Sequence, residues 1–142
     1  MKKYIYFAGL LLVGFAMTSS SSSDTYPYVS NTAFQTGEKL TYRVTYGFMD
    51  AGEATIEVKS TSKKGDNREL QHVVATGKTL GGFNNFYKVH DVYESYIDKK
   101  SIMPWLFVRN VDEGGFIINQ KYTFKQNEKK VHNGSKDFDV SM

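Results

Sequence analysis

Two neighbouring runs constrain this chain more than any other feature. In the first, Leu40, Tyr42, Val44 and Tyr46 alternate with Lys39, Thr41, Arg43 and Thr45; in the second, Ala54, Ile56 and Val58 alternate with Glu53, Thr55, Glu57 and Lys59. A strict period of two places successive side chains on opposite faces of a pleated strand, so each run is expected to bury one face and wet the other. The intervening Gly47-Phe48-Met49-Asp50-Ala51-Gly52 is expected to close a hairpin, its glycines adopting backbone shapes that other residues resist. Both apolar sets share a face only for alternate registers. The favoured one sets Arg43 opposite Glu57 and Val44 opposite Ile56, and its rival slides the pairing by two residues.

The rest of the chain reads the same way. Strands are expected at about 69–78, 89–97, 105–111 and 116–125, followed by two short terminal strands. The segment 60–67 is expected to be a solvated turn. Residues 80–87 form the one plausible helical turn, a poor one with Gly81, Gly82 and two asparagines. Pro104 stands at the start of a strand, where its missing N–H is tolerated. Parity puts Val89, Asp91, Tyr93, Ser95 and Ile97 on one side of their strand and His90, Val92, Glu94 and Tyr96 on the other. The expected fold is all-β: one strongly curved antiparallel sheet of about seven to eight strands, a half-barrel or an open sandwich. Around Val73, Trp105 and Phe116 both faces look apolar, so the second face needs a cover: the sheet's own curvature, a further segment, or an apolar ligand.

The N-terminus has the grammar of an export signal. Lys2 and Lys3 precede an uncharged, mostly apolar run over 4–17, and Thr18 with the serines at 19–23 offers small residues for cleavage. The apolar run is shorter than the ~20 residues that a bilayer-spanning helix needs, so cleavage is favoured over an uncleaved anchor. This divides the chain into a signal peptide at 1–23, a linker or N-terminal arm at 24–36, and a β domain at 37–142. The expected location is the periplasm or cell envelope, with no membrane span left after cleavage. With no cysteine, disulfides, thiolate metal sites, cysteine nucleophiles and lipid modification at cysteine are all excluded. The formal net charge is +3, two units of it from the leader, so charge steers the remainder toward neither nucleic acid nor an acidic membrane.

Few residues offer chemistry. His72, His90 and His132 lie on separate expected elements without metal-ligand spacing, and no metal or cofactor is expected. His90 and Asp91 point to opposite faces. Glu53 and Glu57 share a face but stand ~13 Å apart by strand rise, too far for a glycosidase pair. Asp91, a carboxylate among apolar neighbours, is expected to pair with Arg109 in a structural ion pair. Nucleotide-binding glycine loops and a G-x-S-x-G elbow are absent from the sequence. Lys121, Lys125, Lys129, Lys130 and Lys136, interleaved with Tyr122 and Phe124, suggest single-strand binding only weakly, because Glu128, Asp137 and Asp139 dilute the patch. The remaining signal is aromatic: Phe83, Phe86, Tyr87, Trp105 and Phe107 either line a ligand cavity or fill the core of a sheet with little helix to help.

Phe34-x-x-Gly37-Glu38-x-Leu40-x-Tyr42-x-x-x-Tyr46-Gly47, followed by Ala51-Gly52-Glu53-Ala54, resembles the domain-of-unknown-function 3108 family. So do Tyr87-Lys88-Val89-x-Asp91-x-Tyr93-Glu94-Ser95-Tyr96-Ile97-Asp98, Pro104-Trp105-x-Phe107-x-Arg109 and the turn Glu113-Gly114-Gly115. The resemblance implies an exported envelope protein of Gram-negative bacteria, often Bacteroidetes, and carries over no catalytic residues. Members usually continue with a Q-D-x-x-S-x-x-Y-type segment; the chain stops at Met142 before it, which is expected of a fragment or a shortened member. The leading expectation is a non-enzymatic binder of a lipophilic molecule, a glycan or another envelope component through the apolar sheet. The alternatives are an envelope hydrolase of cell-wall or surface saccharides, which needs His90, Asp91, Glu94 or Asp98 to converge, and a structural module pairing through a strand edge.

Overall fold

A computed structural model describes residues 26–140; the expected signal peptide lies outside the described residues. Eight antiparallel strands follow one another in a single sheet, ordered as in the chain. They are β1 (Lys39–Tyr46), β2 (Met49–Gly65), β3 (Arg68–Thr79), β4 (His90–Asp98), β5 (Pro104–Glu113), β6 (Phe116–Lys125), β7 (Lys130–His132) and β8 (Asp137–Asp139). The one α-helical turn among the described residues, α1 (Phe83–Phe86), sits in the connection between β3 and β4. The sheet curls without closing. Register breaks at Val44/Thr45, Ser60/Lys64 and Tyr96/Ile97 supply the curl, because a bulge bends its strand and sharpens the local twist.

Tight turns enforce the meander. Asp66 and Asn67 both take positive φ (46° and 63°), as do Gly114 and Gly115 (61° and 91°). Each pair bridges directly opposed strand ends, Gly65 with Arg68 and Glu113 with Phe116. That left-handed geometry matches the twist of the flanking strands. The first hairpin also turns on two residues, Gly47 and Phe48, with Tyr46 opposite Met49.

That turn corrects the expected register. Met49 and Asp50 belong to β2 rather than to a loop, so Arg43 stands opposite Glu53 and Val44 opposite Gly52. Neither of the two registers read from the sequence is adopted. A two-residue turn alone would have placed the two apolar sets on opposite faces; the extra residue Ala51, inserted between Val44/Gly52 and Thr45/Asp50, restores the shared face. Arg43 meets Asp50 at 3.2 Å. A second correction concerns 60–67, where strand pairing continues to Gly65 and only Asp66-Asn67 turns.

Register and alternation define two faces. The Tyr42 face carries Leu40, Tyr42, Val44 and Tyr46, then Ile56, Val58, Val73, Ala75, Tyr93, Phe107 and Tyr122. The Tyr96 face carries the wet side of β1 and β2, then Leu70, His72, Glu94, Tyr96, Leu106 and Lys121. Val58 and Val111 are buried on the first, Leu70 and Tyr96 on the second. The expectation that β1 buries one face is overturned: all eight of its residues are exposed, with Tyr42 at 52% and Val44 at 53%. As an edge strand, β1 has a neighbour on one side only, and its apolar side chains stay exposed although Phe83 reaches Tyr46 at one end and Phe34 flanks Leu40 at the other.

The arm before β1 is docked. The Tyr26 ring meets Trp105 edge-on at 5.7 Å, and its hydroxyl reaches Asn127 (2.6 Å) and Asp66 (3.3 Å). Val29 N–H donates to the Lys100 carbonyl, Gln71 donates to Thr36 Oγ1, and Gly37 N–H donates to the Val58 carbonyl. The arm thus runs from Trp105, past the β4–β5 turn, to the Tyr42 face. At that turn Asp98, 1% exposed, accepts from Arg68 Nη2 (2.9 Å) and Nε and from the backbone N–H of Lys100 and Ser101 (both 2.7 Å).

Candidate functional sites on the two faces

The five aromatic residues singled out from the sequence do not form one site. Phe83, Phe86 and Tyr87 gather in and beside α1, at the sheet end that carries the β1–β2 turn. Leu80 N–H donates to the Ala51 carbonyl, Thr79 Oγ1 donates to Asn84 and accepts from Val89 N–H, and Phe83 packs edge-on to Tyr46 at 6.2 Å. Phe107 lies farther across the same face, between Tyr93 (6.5 Å) and Tyr122 (6.3 Å). Trp105 is at the opposite end of the strands, against Gly65 and Tyr26. Two open depressions of about 430 and 420 Å³ surround α1; the first is lined by Tyr46, Met49, Phe83 and Phe86, the second by Val44, Ala54, Phe86, Tyr87 and Val89 among others. Phe86 is 89% exposed. A third, of about 290 Å³, lies between Phe34 of the arm and Leu40, Ile56, Val58 and Val73. Together these surfaces make a continuous apolar band along β1 and β2.

The expected Asp91–Arg109 ion pair is replaced by other partners. Both side chains share the Tyr42 face, but Asp91 Oδ1 accepts from Asp112 N–H at 3.2 Å, and Arg109 Nε donates to Gln120 at 2.8 Å, where the Tyr122 hydroxyl also donates. Tyr93 is directly opposite Arg109, which leaves Asp91 one pleat away, nearer the β5 backbone than the guanidinium. The ion pair actually built is Asp98 with Arg68. Burial alone would raise the Asp98 carboxyl, but hydrogen bonds from Arg68, Ser101 and Lys100, with the guanidinium charge, outweigh it and hold the group at about 2.

The four residues required by a hydrolase do not converge. His90, Glu94 and Asp98 recur at every fourth position of β4, ~13 Å apart by strand rise, while Asp91 faces the other way. Glu94 instead meets His72, Nε2 to Oε2 at 2.6 Å, and accepts from the Tyr96 hydroxyl at 3.2 Å; the His72 ring stacks on Tyr96 at 4.2 Å. Strand pairing alone explains that cluster, since His72 is directly opposite Tyr96.

A groove on the Tyr96 face was not foreseen. At the register break after Ser60, residues 61–63 of β2 oppose Leu70 alone, and the bulged strand bends back until Lys63 Nζ lies 5.3 Å from the centre of the Tyr96 ring. Lys63, Lys64, Gly65 and Asp66 form one wall. Leu70, Tyr96, Trp105 and Leu106 form the floor, and the end of β6 with the 3₁₀ turn Gln126–Glu128 forms the second wall, bringing Lys121 and Lys125. The volume is about 450 Å³. The polar run 61–66 gave no sign of this, because the bend depends on how many residues pair across the hairpin.

The described residues hold no group of three or more His, Asp or Glu side chains suited to a metal ion, and no helix among them is long and apolar enough to cross a membrane. What the geometry defines is a class: an open, curled antiparallel meander with an uncovered apolar face and a cationic groove on its reverse. Residues 41–140 match the family model described as "Protein of unknown function (DUF3108)", and the chain belongs to that family. Comparison with curated proteins and with solved structures finds no match to either.

Proposed function

We propose that this protein is an exported component of the cell envelope that binds a lipophilic molecule on the Tyr42 face and does no chemistry on it. The observation that carries the reading is the apolar band formed by Leu40, Tyr42, Val44, Tyr46, Ile56, Phe86 and Tyr87, exposed together along one edge of the sheet. An exposed apolar surface of this extent on a soluble protein marks an interaction site, and depressions of 420–430 Å³ fall within the ordinary range for small-molecule ligands. The export signal read from residues 1–23 supplies the location, and the scatter of His90, Asp91, Glu94 and Asp98 takes away the support for hydrolysis.

Titration with N-phenyl-1-naphthylamine, a neutral fluorophore that brightens in apolar surroundings, tests this. Saturable enhancement is expected, weakened about tenfold, or about 1.4 kcal/mol, in Tyr42→Ser/Val44→Ser. Both side chains are half exposed, so the melting temperature should stay near that of the parent. Unchanged affinity in the double variant would refute the assignment. Native mass spectrometry of protein recovered from its own envelope would then name the ligand class.

A further inference from the structure

The groove on the Tyr96 face is independent of the apolar band and has a different chemistry. Its floor is apolar and aromatic: Leu70 and Tyr96 are buried, and Leu106 lies directly opposite Tyr96 on the neighbouring strand. Its rim is cationic. Lys64 is shared with Glu69 (3.7 Å) and Lys125 with Asp137 (2.9 Å) and Glu128 (3.9 Å). Lys63 and Lys121, on opposite walls, meet no carboxylate within 4.0 Å among the described residues; Lys63 rests on the Tyr96 ring. The acids that face the groove are otherwise engaged, Asp66 by Tyr26 and Asn127 and Glu128 by Lys125.

Two ammonium groups without acidic partners, held across an aromatic floor, are complementary to a compound with an anionic end and an apolar body. We infer that this groove binds an anionic amphiphile, its carboxylate or phosphate between Lys63 and Lys121 and its apolar part on Tyr96 and Leu106. Charge-assisted hydrogen bonds to the anion supply orientation, and the volume of about 450 Å³ admits a headgroup with a short chain or a single ring. The Coulombic part is exposed to solvent, so it weakens as salt shortens the screening length.

The chain carries its own reporter, since Trp105 is its one tryptophan and lines the groove. Octyl phosphate, octyl glucoside and inorganic phosphate are titrated against the full chain while Trp105 emission is followed, with the surfactants below their micellar range. Octyl phosphate is expected to bind saturably, about tenfold tighter than either comparator. Its affinity should fall about tenfold in Lys63→Ala/Lys121→Ala, and should fall again between ~0.01 M and ~0.15 M salt. Lys63→Arg/Lys121→Arg should retain binding. Lys39→Ala/Lys88→Ala, which removes the same charge elsewhere, should leave affinity unchanged. Equal binding of octyl glucoside, equal binding of inorganic phosphate alone, full affinity in Lys63→Ala/Lys121→Ala, or no saturable response would each overturn the proposal. Because N-phenyl-1-naphthylamine is neutral, failure here and failure on the Tyr42 face are separately visible.

Discussion

Asp98→Ala is expected to destabilise the fold by about 3–5 kcal/mol, the usual cost of removing one partner from a buried ion pair. The carboxylate is 1% exposed and is the acceptor for Arg68 and for the Lys100 and Ser101 N–H groups. Truncation deprives the Lys100 and Ser101 N–H groups of their acceptor and takes from Arg68 the carboxylate that receives its Nε and Nη2 donors. The damage spreads beyond the turn, because Arg68 lies over the Tyr26 ring at 5.0 Å and Tyr26 packs on Trp105. Asp98→Asn isolates the charge. The folded carboxyl titrates at about 2 against a reference of 3.8, so its contribution is complete above that reference and disappears as pH falls toward 2. The difference is worth on the order of 2 kcal/mol. Urea denaturation across an acid pH series should show this loss in the parent and not in Asp98→Asn. Glu53, Glu69 and Asp137 are also held low by Lys78, Lys99 and Lys125 and add to the acid slope of both proteins, so the comparison between the two is the measurement. An identical acid slope in the variant would show that Asp98 is not held low.

Gly65→Ala is the second large effect expected. A β-carbon there would stand 2.3 Å from Cδ2 and 2.6 Å from Cγ of Trp105, inside the ring's van der Waals surface. The ring cannot yield freely, because Tyr26 holds it edge-on. Overpacking of this kind costs about 1–3 kcal/mol, and relief by moving the indole would loosen the Tyr26 arm and the groove floor together. Chemical denaturation should show the loss, and a change in Trp105 emission should accompany it. Gly82→Ala is the matching control: an added methyl meets nothing within 4 Å and φ is −64°, so stability should hold or rise slightly. If the two variants proved equally stable, the close contact between Gly65 and Trp105 would be disproved.

Gly65 also shows where sequence reading loses its grip. Within the expected turn at 60–67, only Asp66 and Asn67 take the left-handed positions, and Gly65 is a strand residue kept small by an indole forty residues away. Strand parity held where it was read for β4: His90 and Asp91 do point apart. Register did not survive in the first hairpin, since it turns on which residues the turn consumes and on a bulge at Ala51 that no local pattern marks. The expected partner of Asp91 was wrong by one pleat, a distance that a list of compatible charges cannot resolve. The Lys63–Lys121 groove was invisible for the same reason, its walls belonging to β2 and β6 with three strands between them.

Alternating side chains, turn-forming pairs and the scarcity of helix-forming stretches were by themselves enough to determine an all-β antiparallel meander, because each acts over a few neighbouring residues and the backbone answers locally. Tertiary structure alone decided that β1 keeps its apolar face open, that Asp98 rather than Asp91 carries the buried charge pair, and that lysines far apart in the chain share a groove. Those outcomes follow from bulges and curvature summed across strands, so they are properties of the assembled sheet and of no segment within it.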